Sequence, residues 1–152
     1  MATASAVGGA QDASMPVTIA TPKFQDFKIS NVKCDGAARG VFMRGLPEMS
    51  VKNIDLTNIA LRAKKGVDII EAAGIQLKHI RLSTDDKESL IDIHNATNVV
   101  FDSIESDDKV KNVFSISGKR NQAIVASGIV VLQAKNKVVF SPEADKTSFS
   151  LR

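Results

Sequence analysis

Four segments of the chain repeat one eleven-residue pattern: FQDFKISNVKC at 24–34, VKNIDLTNIAL at 51–61, AAGIQLKHIRL at 72–82 and ATNVVFDSIES at 96–106. Each segment has an apolar residue at its fourth position, a second two residues later and a third five residues after the first. The first two share the two-residue period of a β-strand that buries one face. The third has the opposite parity and would point outward on a straight strand. The pattern therefore predicts a bend between the second and third apolar positions.

The residues next to these apolar positions also suit bends. Asparagine, aspartate and glycine tolerate left-handed backbone, and histidine is enriched there. The predicted bend after each short strand contains Asn31, Asn58, His79 or Ser103. The position before each strand contains Asp26, Asn53, Gly74 or Asn98. Both ends of each short strand are therefore predicted to turn, and we expect His79 to serve backbone geometry.

The repeats have a period typical of stacked coils. Their fourth positions, Phe27, Ile54, Ile75 and Val99, are 27, 21 and 24 residues apart. Repeats of this length form solenoids in which each coil buries its apolar face against its neighbours. Leucine-rich repeats share the period, but they need a helix or comparable arc and an L-x-x-L-x-L frame, neither of which we find. The sequence therefore predicts an all-β parallel β-helix.

Further segments extend this interpretation along the chain. A second strand repeats in each coil, at Val41/Met43, Val67/Ile69 and Ile91/Ile93. Beyond residue 106 we predict strands at Val113–Ser117 and within 123–132, and AKNKVVFSPE at 134–143 resembles ATNVVFDSIE at 96–105 with one lysine inserted. The ending ADKTSFSLR could close the stack. We interpret residues 1–14 as a flexible tail or leader, 15–23 as extended and 15–152 as β-helix domain.

Composition excludes several classes of function. The 152 residues have a net charge of +3 with interspersed charges, and they lack an arginine-rich arm, zinc-ligand spacing or an aromatic stacking motif, so nucleic-acid binding is not predicted. No apolar run is long enough to span a membrane, and the N-terminus does not resemble a signal peptide. Cys34 is the single cysteine, which rules out an internal disulfide, and we expect a small core residue there.

Two aspartates are candidates for acid/base chemistry. Asp68 and Asp92 fall at the same place on successive coils, so their α-carbons should lie about 4.8 Å apart. Carboxylates that close could share a proton and act as an acid/base pair, or they could be solvated outward residues. His94 should point the same way as Arg44 and Ile70, and it could contact a ligand or simply lie on the surface.

Other chemical signals are weak. Asp85-Asp86 and Asp107-Asp108 lie next to lysines and are interpreted as solvated loops. The chain has no G-x-S-x-G, no HExxH, no phosphate-binding glycine loop and no Cys/His set. We therefore predict no metal site and no cofactor.

The string from TPKFQDFKISNV (21–32) through GLPEMSVKNI (45–54) to KGVDI (65–69) resembles the C-terminal part of glycoside hydrolase family 28. These are the polygalacturonase-type pectin hydrolases, and the likeness covers about residues 15–152. It implies a right-handed, single-stranded parallel β-helix of the pectin-lyase type, with about four to six coils in this chain. It also implies a secreted or periplasmic parent enzyme that binds an acidic polysaccharide, pectin or polygalacturonate.

The resemblance does not extend to catalysis. The family performs inverting hydrolysis of α-1,4-galacturonosyl bonds, which requires a carboxylic acid and a carboxylate base. Its acids and their neighbours lie in N-T-D, D-D, G-H-G and R-I-K motifs, and none of these occurs here. Asp107-Asp108 faintly resembles the D-D context, but family members carry that pair upstream of the matched region. No catalytic residue is therefore assigned, and Arg44, Asp68, Asp92 and His94 remain candidate substrate contacts.

Three functions follow from this reasoning. The chain could be the C-terminal β-helix portion of a pectin hydrolase, joined to upstream coils that carry the missing motifs. It could be a non-catalytic module that binds an acidic polysaccharide through Arg44, Arg62, Lys64 and Lys65, since guanidinium and ammonium groups bind carboxylates. It could also be a purely structural piece of a β-helix.

Overall fold

The computed structural model describes residues 13–152. They form seven β-strands and a short 3-10 turn, and the described residues contain no α-helix. The strands are β1 (Gln25–Arg44), β2 (Val51–Thr84), β3 (Ser89–Ser106), β4 (Val110–Ser117), β5 (Gln122–Val131), β6 (Ala134–Phe140) and β7 (Phe149–Leu151), and the 3-10 turn is Lys146–Ser148. Residues 1–12, which include most of the predicted tail or leader, lie outside the described part of the chain.

All seven strands belong to one parallel, coiled arrangement. Neighbours follow the order β1-β2-β3-β4-β6, while β5 pairs with β3 and β7 pairs with β5, always in parallel. The long strands bend at corners, so one strand contributes to more than one face of the coil. The result is a right-handed parallel β-helix of about five coils, which confirms the predicted fold class.

Three faces make up each coil. The first sheet contains 27–30, 54–57, 75–78, 99–102, 124–127 and 149–151; the second contains 32–35, 59–62, 80–83, 104–106 and 129–131; the third contains 41–44, 67–70, 91–94, 114–117 and 138–140. The register confirms the repeat alignment, since Phe27 pairs with Ile54 and Ile75 pairs with Val99.

The predicted bends are confirmed at every position. All eight residues have left-handed backbone, with φ between 53° at Asn98 and 67° at Gly74. Equivalent amides also bond along the stack: Asn58 Nδ2 donates to Asn31 Oδ1 at 2.6 Å, and Asn53 Nδ2 donates to an Asp26 carboxylate oxygen at 2.9 Å. The same positions therefore shape the bends and connect successive coils.

A third set of left-handed residues was not predicted. Glu71, Asn95 and Gly118 have φ of 49°, 52° and 88°, and they lie at the corner where the third sheet leads to the next coil. Glutamate rarely adopts this backbone conformation, so the residue type at position 71 does not predict a bend.

The core consists of inward columns of aliphatic residues. All nine repeat positions predicted to be buried in the second to fourth coils are buried: Ile54, Leu56, Ile59, Ile75, Leu77, Ile80, Val99, Phe101 and Ile104. The first coil differs, because Phe27 and Ile29 are each 46% exposed. Cys34 is only partly buried at the edge of this core, since among residues 13–152 no strand other than β2 pairs with the first coil.

The C-terminal end of the core is closed by aromatic rings. The Phe149 ring lies 5.0 Å from that of Phe114 and 6.4 Å from that of Phe140, and Phe114 packs edge-on against Phe101 at 5.1 Å. β7 pairs with β5, which confirms the predicted closing strand.

Two segments differ from what the sequence suggests. The likeness of 134–143 to 96–105 does not correspond to equivalent positions in the coil, because β6 pairs with β4 in the third sheet, whereas 97–106 pairs with β5 in the first and second. Alternating apolar residues fit any sheet, and β6 has no left-handed residue to make the bend. Residues 15–23 are not fully extended, because the Thr21 N–H donates to the Thr18 carbonyl in a turn.

Candidate functional site

The outward side of the third sheet contains the residues with the most chemical potential. Here Asp68 pairs in register with Asp92, and Ile70 pairs with His94, as the repeat predicted. The next strand brings Ser115 beside Asp92 and Ser117 beside His94. These side chains line a groove of about 250 Å³, together with Arg39, Lys65, Ile70 and Ile93. We call this the third-sheet groove.

Asp68 is paired with an arginine from the preceding coil. Arg39 Nη1 lies 3.1 Å from Asp68 Oδ2, and the Asp68 side chain is only 15% exposed. The Arg39 guanidinium also lies over the Phe42 ring, 4.4 Å from its centroid. A guanidinium stacked on an aromatic face and hydrogen-bonded to a carboxylate is restricted in orientation. Arg39 therefore forms a fixed cationic edge of the groove.

Asp92 has a different environment from its neighbour. Its carboxylate accepts a hydrogen bond of 2.6 Å from the Ser89 hydroxyl. Burial raises the pKa of Asp92 above its ordinary value, and the Asp68 carboxylate raises it further, while the Ser89 hydroxyl opposes the increase. A carboxyl group with a raised pKa retains its proton to higher pH. Asp92 is therefore a carboxyl group that keeps its proton to higher pH than an ordinary aspartate.

His94 is held by the strand that follows it. Its Nδ1 lies 2.8 Å from Ser117 Oγ, while its Nε2 is buried without a hydrogen-bond partner. The adjacent Gly118 has φ of 88°, and a Cβ there would lie 3.1 Å from the His94 ring and 2.2 Å from Asn95 Oδ1. The absence of a side chain at Gly118 therefore allows the ring to pack beside this corner.

Lys65 provides a second cation at the groove. Its ammonium group lies 3.9 Å from Asp86 Oδ2, and its side chain remains about half exposed. An exposed pair of this kind is weak and leaves the ammonium available to other anions. The groove therefore has one guanidinium group with a restricted orientation, on Arg39, and one ammonium group that is available to other anions, on Lys65.

The surroundings of several predicted site residues differ from those that the sequence led us to expect. The interpretation of Asp68 and Asp92 as solvated residues without partners is wrong, because both are partly buried and hydrogen-bonded. Arg44 shares the outward row of His94, but it lines the apolar hollow at the N-terminal end of the stack rather than the groove. Arg62 lies on the second sheet and pairs with Asp35, so it cannot act together with Lys65 along one face.

The two pairs of adjacent aspartates agree only in part with the prediction that they lie in solvated loops. Asp85 and Asp107 are exposed, in agreement with solvated loops. Asp108 is not, because it accepts a hydrogen bond of 2.5 Å from the Thr84 N–H and lies 3.5 Å from Lys87 Nζ. It joins two successive loops, and its carboxylate is therefore structural.

Sequence reasoning missed a buried ionic network at the third corner. Glu71 is buried and accepts hydrogen bonds from Asn95 Nδ2 at 2.9 Å and from Arg120 Nη2 at 2.5 Å. The Arg120 N–H donates to Asn95 Oδ1 at 3.0 Å. Asn121 Oδ1 accepts from the Ala96 N–H nearby. One feature of the sequence could have indicated this network: Glu71 and Asn95 are 24 residues apart, which is the local coil length.

The groove geometry suits the binding of a ligand better than inverting glycoside hydrolysis. Its carboxylates and hydroxyls can accept hydrogen bonds from sugar hydroxyl groups, and its cations can bind carboxylates. Inverting hydrolysis requires carboxyl groups about 6.5–9.5 Å apart, whereas residues paired on adjacent strands lie about 4.8 Å apart at their backbones. Asp68 and Asp92 are register partners whose backbones lie closer than that range, and the Asp68 carboxylate is already paired with Arg39.

No protein-family model matches the chain, and searches of the curated proteins and of the solved structures returned no significant match. Among residues 13–152, no helix is long and apolar enough to cross a membrane. The same residues contain no group of three or more potential metal ligands.

Proposed function

We propose that the chain is the C-terminal β-helix portion of a polygalacturonase-type pectin hydrolase, and that its third-sheet groove binds one stretch of the acidic polysaccharide. The catalytic motifs would lie in upstream coils. The observation that carries this proposal is the convergence of Arg39, Lys65, Asp68, Asp92 and His94 on one outward face. The sequence resemblance supports the choice of polysaccharide.

The chemistry of the groove matches a uronic-acid polymer. Each galacturonate unit within the polymer has one carboxylate and two free hydroxyl groups. In this proposal Lys65 binds the carboxylate, and Arg39 retains donors beyond the one directed at Asp68. The hydroxyl groups can donate to Asp68, Asp92 and the serines. Because outward rows repeat along the stack about every 4.8 Å, a linear polymer can follow the axis of the β-helix.

A non-catalytic polysaccharide-binding module is the second candidate. It is favoured by one observation, the close spacing of Asp68 and Asp92, which fits hydroxyl recognition without hydrolysis. The two candidates share the groove and differ in what the upstream sequence encodes.

Binding measurements with two polymers test the proposal. Isothermal titration should detect binding of the full chain to polygalacturonate at low salt, weakening as salt screens the charges. Fully methyl-esterified polygalacturonate keeps the backbone but has no charge, and it should bind at least about tenfold more weakly if a charge contact worth some 1.4 kcal/mol is lost.

Matched charge variants locate the binding face. Lys65→Gln removes one positive charge from the groove, whereas Arg81→Gln removes one from the second sheet, where Arg81 pairs with Glu105. We expect Lys65→Gln to lower the affinity for polygalacturonate and Arg81→Gln to leave it nearly unchanged. Equal effects of the two variants, or equal binding of the two polymers, would refute the proposal.

A further inference from the structure

A second and larger cleft lies at the third corner, where the third sheet leads to the next coil. Its volume is about 690 Å³, and it shares no lining residue with the third-sheet groove. Binding sites for small molecules have volumes of about 300–1,000 Å³, so this cleft is large enough to hold one. We call it the corner cleft.

The lining of the corner cleft is polar. Apart from Ala72 and Ala123, every residue that lines it has a polar or charged side chain. Two alanines do not supply the wide apolar surface that lines most sites for aromatic or lipid-like ligands. The corner cleft therefore suits a ligand that is itself rich in hydrogen-bonding groups.

The formal charges at the corner cleft cancel. Glu71 and Asp145 contribute two carboxylates, and Lys119 and Arg120 contribute two cations. The hydroxyl and the N–H of Thr147 donate to Asp145 and hold the pKa of that carboxyl below its ordinary value, so Asp145 is ionised at neutral pH. An anionic ligand would meet both carboxylates, and a cationic ligand would meet both cations. This balance favours an uncharged ligand.

The polar groups of the corner cleft are held in place before any ligand binds. The Glu71 side chain is only 5% exposed, and Asn95 and Asn121 are also buried. Asn95 connects the two charged residues beside it, because its Nδ2 donates to Glu71 Oε1 and its Oδ1 accepts from the Arg120 N–H. Asn121 Nδ2 donates to two backbone carbonyls of the preceding turn. A preorganised site of this kind loses little conformational freedom on binding.

Hydrogen-bonding capacity remains unused at the corner cleft. Asn95 and Arg120 both donate to Oε1 of Glu71, and among residues 13–152 no group donates to its Oε2. Both bonds from Thr147 likewise end on Oδ1 of Asp145. Arg120 has further N–H donors beyond the one directed at Glu71. The corner cleft therefore offers acceptors and donors together.

The corner cleft extends along the axis of the stack. Glu71, Asn95, Arg120 and Asp145 line it from four successive coils. Arg120 reaches back over Asn95 to Glu71, which joins three of these coils. Three spacings of about 4.8 Å give a length of about 14 Å, so an extended ligand fits better than a compact one.

We propose that the corner cleft binds an uncharged oligosaccharide. Sugar hydroxyl groups donate and accept hydrogen bonds, so they can pair with the carboxylate oxygens and with the N–H donors at the same time. A neutral sugar chain matches the cancelled charges, and its extended shape matches the elongated cleft. The proposal is independent of the proposed function, because it uses no residue of the third-sheet groove and no charge on the ligand.

Titration of the full chain with uncharged trisaccharides, followed by NMR, tests the proposal. Galactotriose, maltotriose and cellotriose are added separately, at low and at high salt. We expect at least one of them to shift the side-chain signals of Asn95, Asn121, Gln122 and Arg120. Its Kd should not change with salt, because salt screens interactions between net charges and the ligand has none.

Matched variants show where the trisaccharide binds. Thr97→Val and Gln122→Met remove polar groups from the corner cleft, whereas Thr57→Val and Gln76→Met make the same changes on the first sheet away from it. Each cleft variant should weaken binding by about three- to tenfold, the range for one lost hydrogen bond. The control variants should leave the Kd unchanged. Backbone signals of β3 serve as an internal check that each variant is folded.

Three outcomes would overturn the proposal. One is the absence of a shift with all three trisaccharides. Another is an equal loss of affinity in the cleft variants and their controls. The third is a shift of the same side-chain signals by trigalacturonate but by no uncharged sugar, which would make the corner cleft an anion site. Lys65→Gln should leave trisaccharide binding unchanged, so a failure here can be distinguished from a failure of the proposed function.

Discussion

Asp68 and Asp92 are register partners on adjacent parallel strands, yet they have different hydrogen-bond partners. Asp68 is paired with the Arg39 guanidinium from the preceding coil, and Asp92 accepts from the Ser89 hydroxyl three residues earlier in its own strand. Burial raises the pKa of Asp92 above its ordinary value. The repeat places two identical residues side by side, and their neighbours make them chemically distinct.

This difference predicts a pH-dependent stability. The raised pKa means that folded Asp92 retains its proton above the ordinary value of 3.8, while the unfolded chain releases it. The free energy of unfolding of the wild-type chain should therefore fall as pH rises from 3.8 through the raised folded pKa. Asp92→Asn removes this loss and should be more stable than wild type at pH 7 in urea titrations.

The neighbouring aspartate provides the control. Asp68→Asn breaks the pair with Arg39 and should not stabilise the chain at pH 7. If Asp92→Asn and wild type lose stability in parallel between pH 4 and 8, the assignment of the effect to Asp92 is wrong.

A second prediction concerns hydrolysis. The purified chain should release no measurable reducing sugar from polygalacturonate, because it lacks the acid and base motifs of polygalacturonases and the Asp68 carboxylate is already paired with Arg39. Each missing acid/base participant typically costs a factor of about 10²–10⁴ in rate. Activity that disappears in Asp68→Asn or Asp92→Asn would show that this pair is catalytic after all.

A third prediction concerns the buried network at Glu71. Glu71 is 5% exposed at its side chain, whereas its partner Arg120 is 54% exposed. Arg120→Met leaves a buried carboxylate with Asn95 as its remaining donor and should cost about 1–3 kcal/mol of stability. Glu71→Gln should cost less, since Arg120 can turn to water.

The double variant measures the coupling of the pair. Glu71→Gln with Arg120→Met removes both charges, so its cost should be smaller than the sum of the single costs in a chemical-denaturation cycle. Additive costs would mean that the ion pair contributes nothing beyond its separate residues.

A fourth prediction separates backbone strain from crowding. Gly36 and Gly118 both have left-handed backbone, with φ of 96° and 88°. An added Cβ at Gly36 meets nothing within 4 Å, whereas one at Gly118 would lie 2.2 Å from Asn95 Oδ1. Gly36→Ala should cost about 1–2 kcal/mol from strain alone. Gly118→Ala should cost clearly more and should alter the His94 NMR signals. Equal costs would contradict the packing at this corner.

A fifth prediction uses two positions of one column. Ile29 and Leu77 occupy equivalent places in different coils, but Leu77 is fully buried and Ile29 is 46% exposed. Leu77→Ala should lower the free energy of unfolding by about 2–5 kcal/mol. Ile29→Ala should cost much less, because its side chain already contacts solvent. Thermal and urea unfolding of the two variants compare the costs directly.

The fold could be predicted from the repeat alone. Alternation of apolar residues and the residue types at Asn31, Asn58 and their equivalents are local properties, since each residue favours its own backbone angles. A repeat multiplies that local signal, so the bends, the register of Asp68 with Asp92 and the buried columns could all be predicted. The exposure of the first coil follows from the same repeat, because a coil with one neighbour covers one side.

The chemistry of the groove depends on contacts between coils that could not be predicted from the sequence. Arg39 and Asp68 are 29 residues apart, and Glu71 and Arg120 are 49 apart, so no short motif marks either pair. The length of the connecting turns sets which side chains meet, and turn lengths vary from coil to coil. Likewise, the alternating pattern of β6 fits all three sheets. β6 lies in the third sheet because it pairs with β4, and the pattern alone does not predict that pairing. Local preference determines how each coil bends, whereas burial, charge and hydrogen bonding depend on which coil stacks on which.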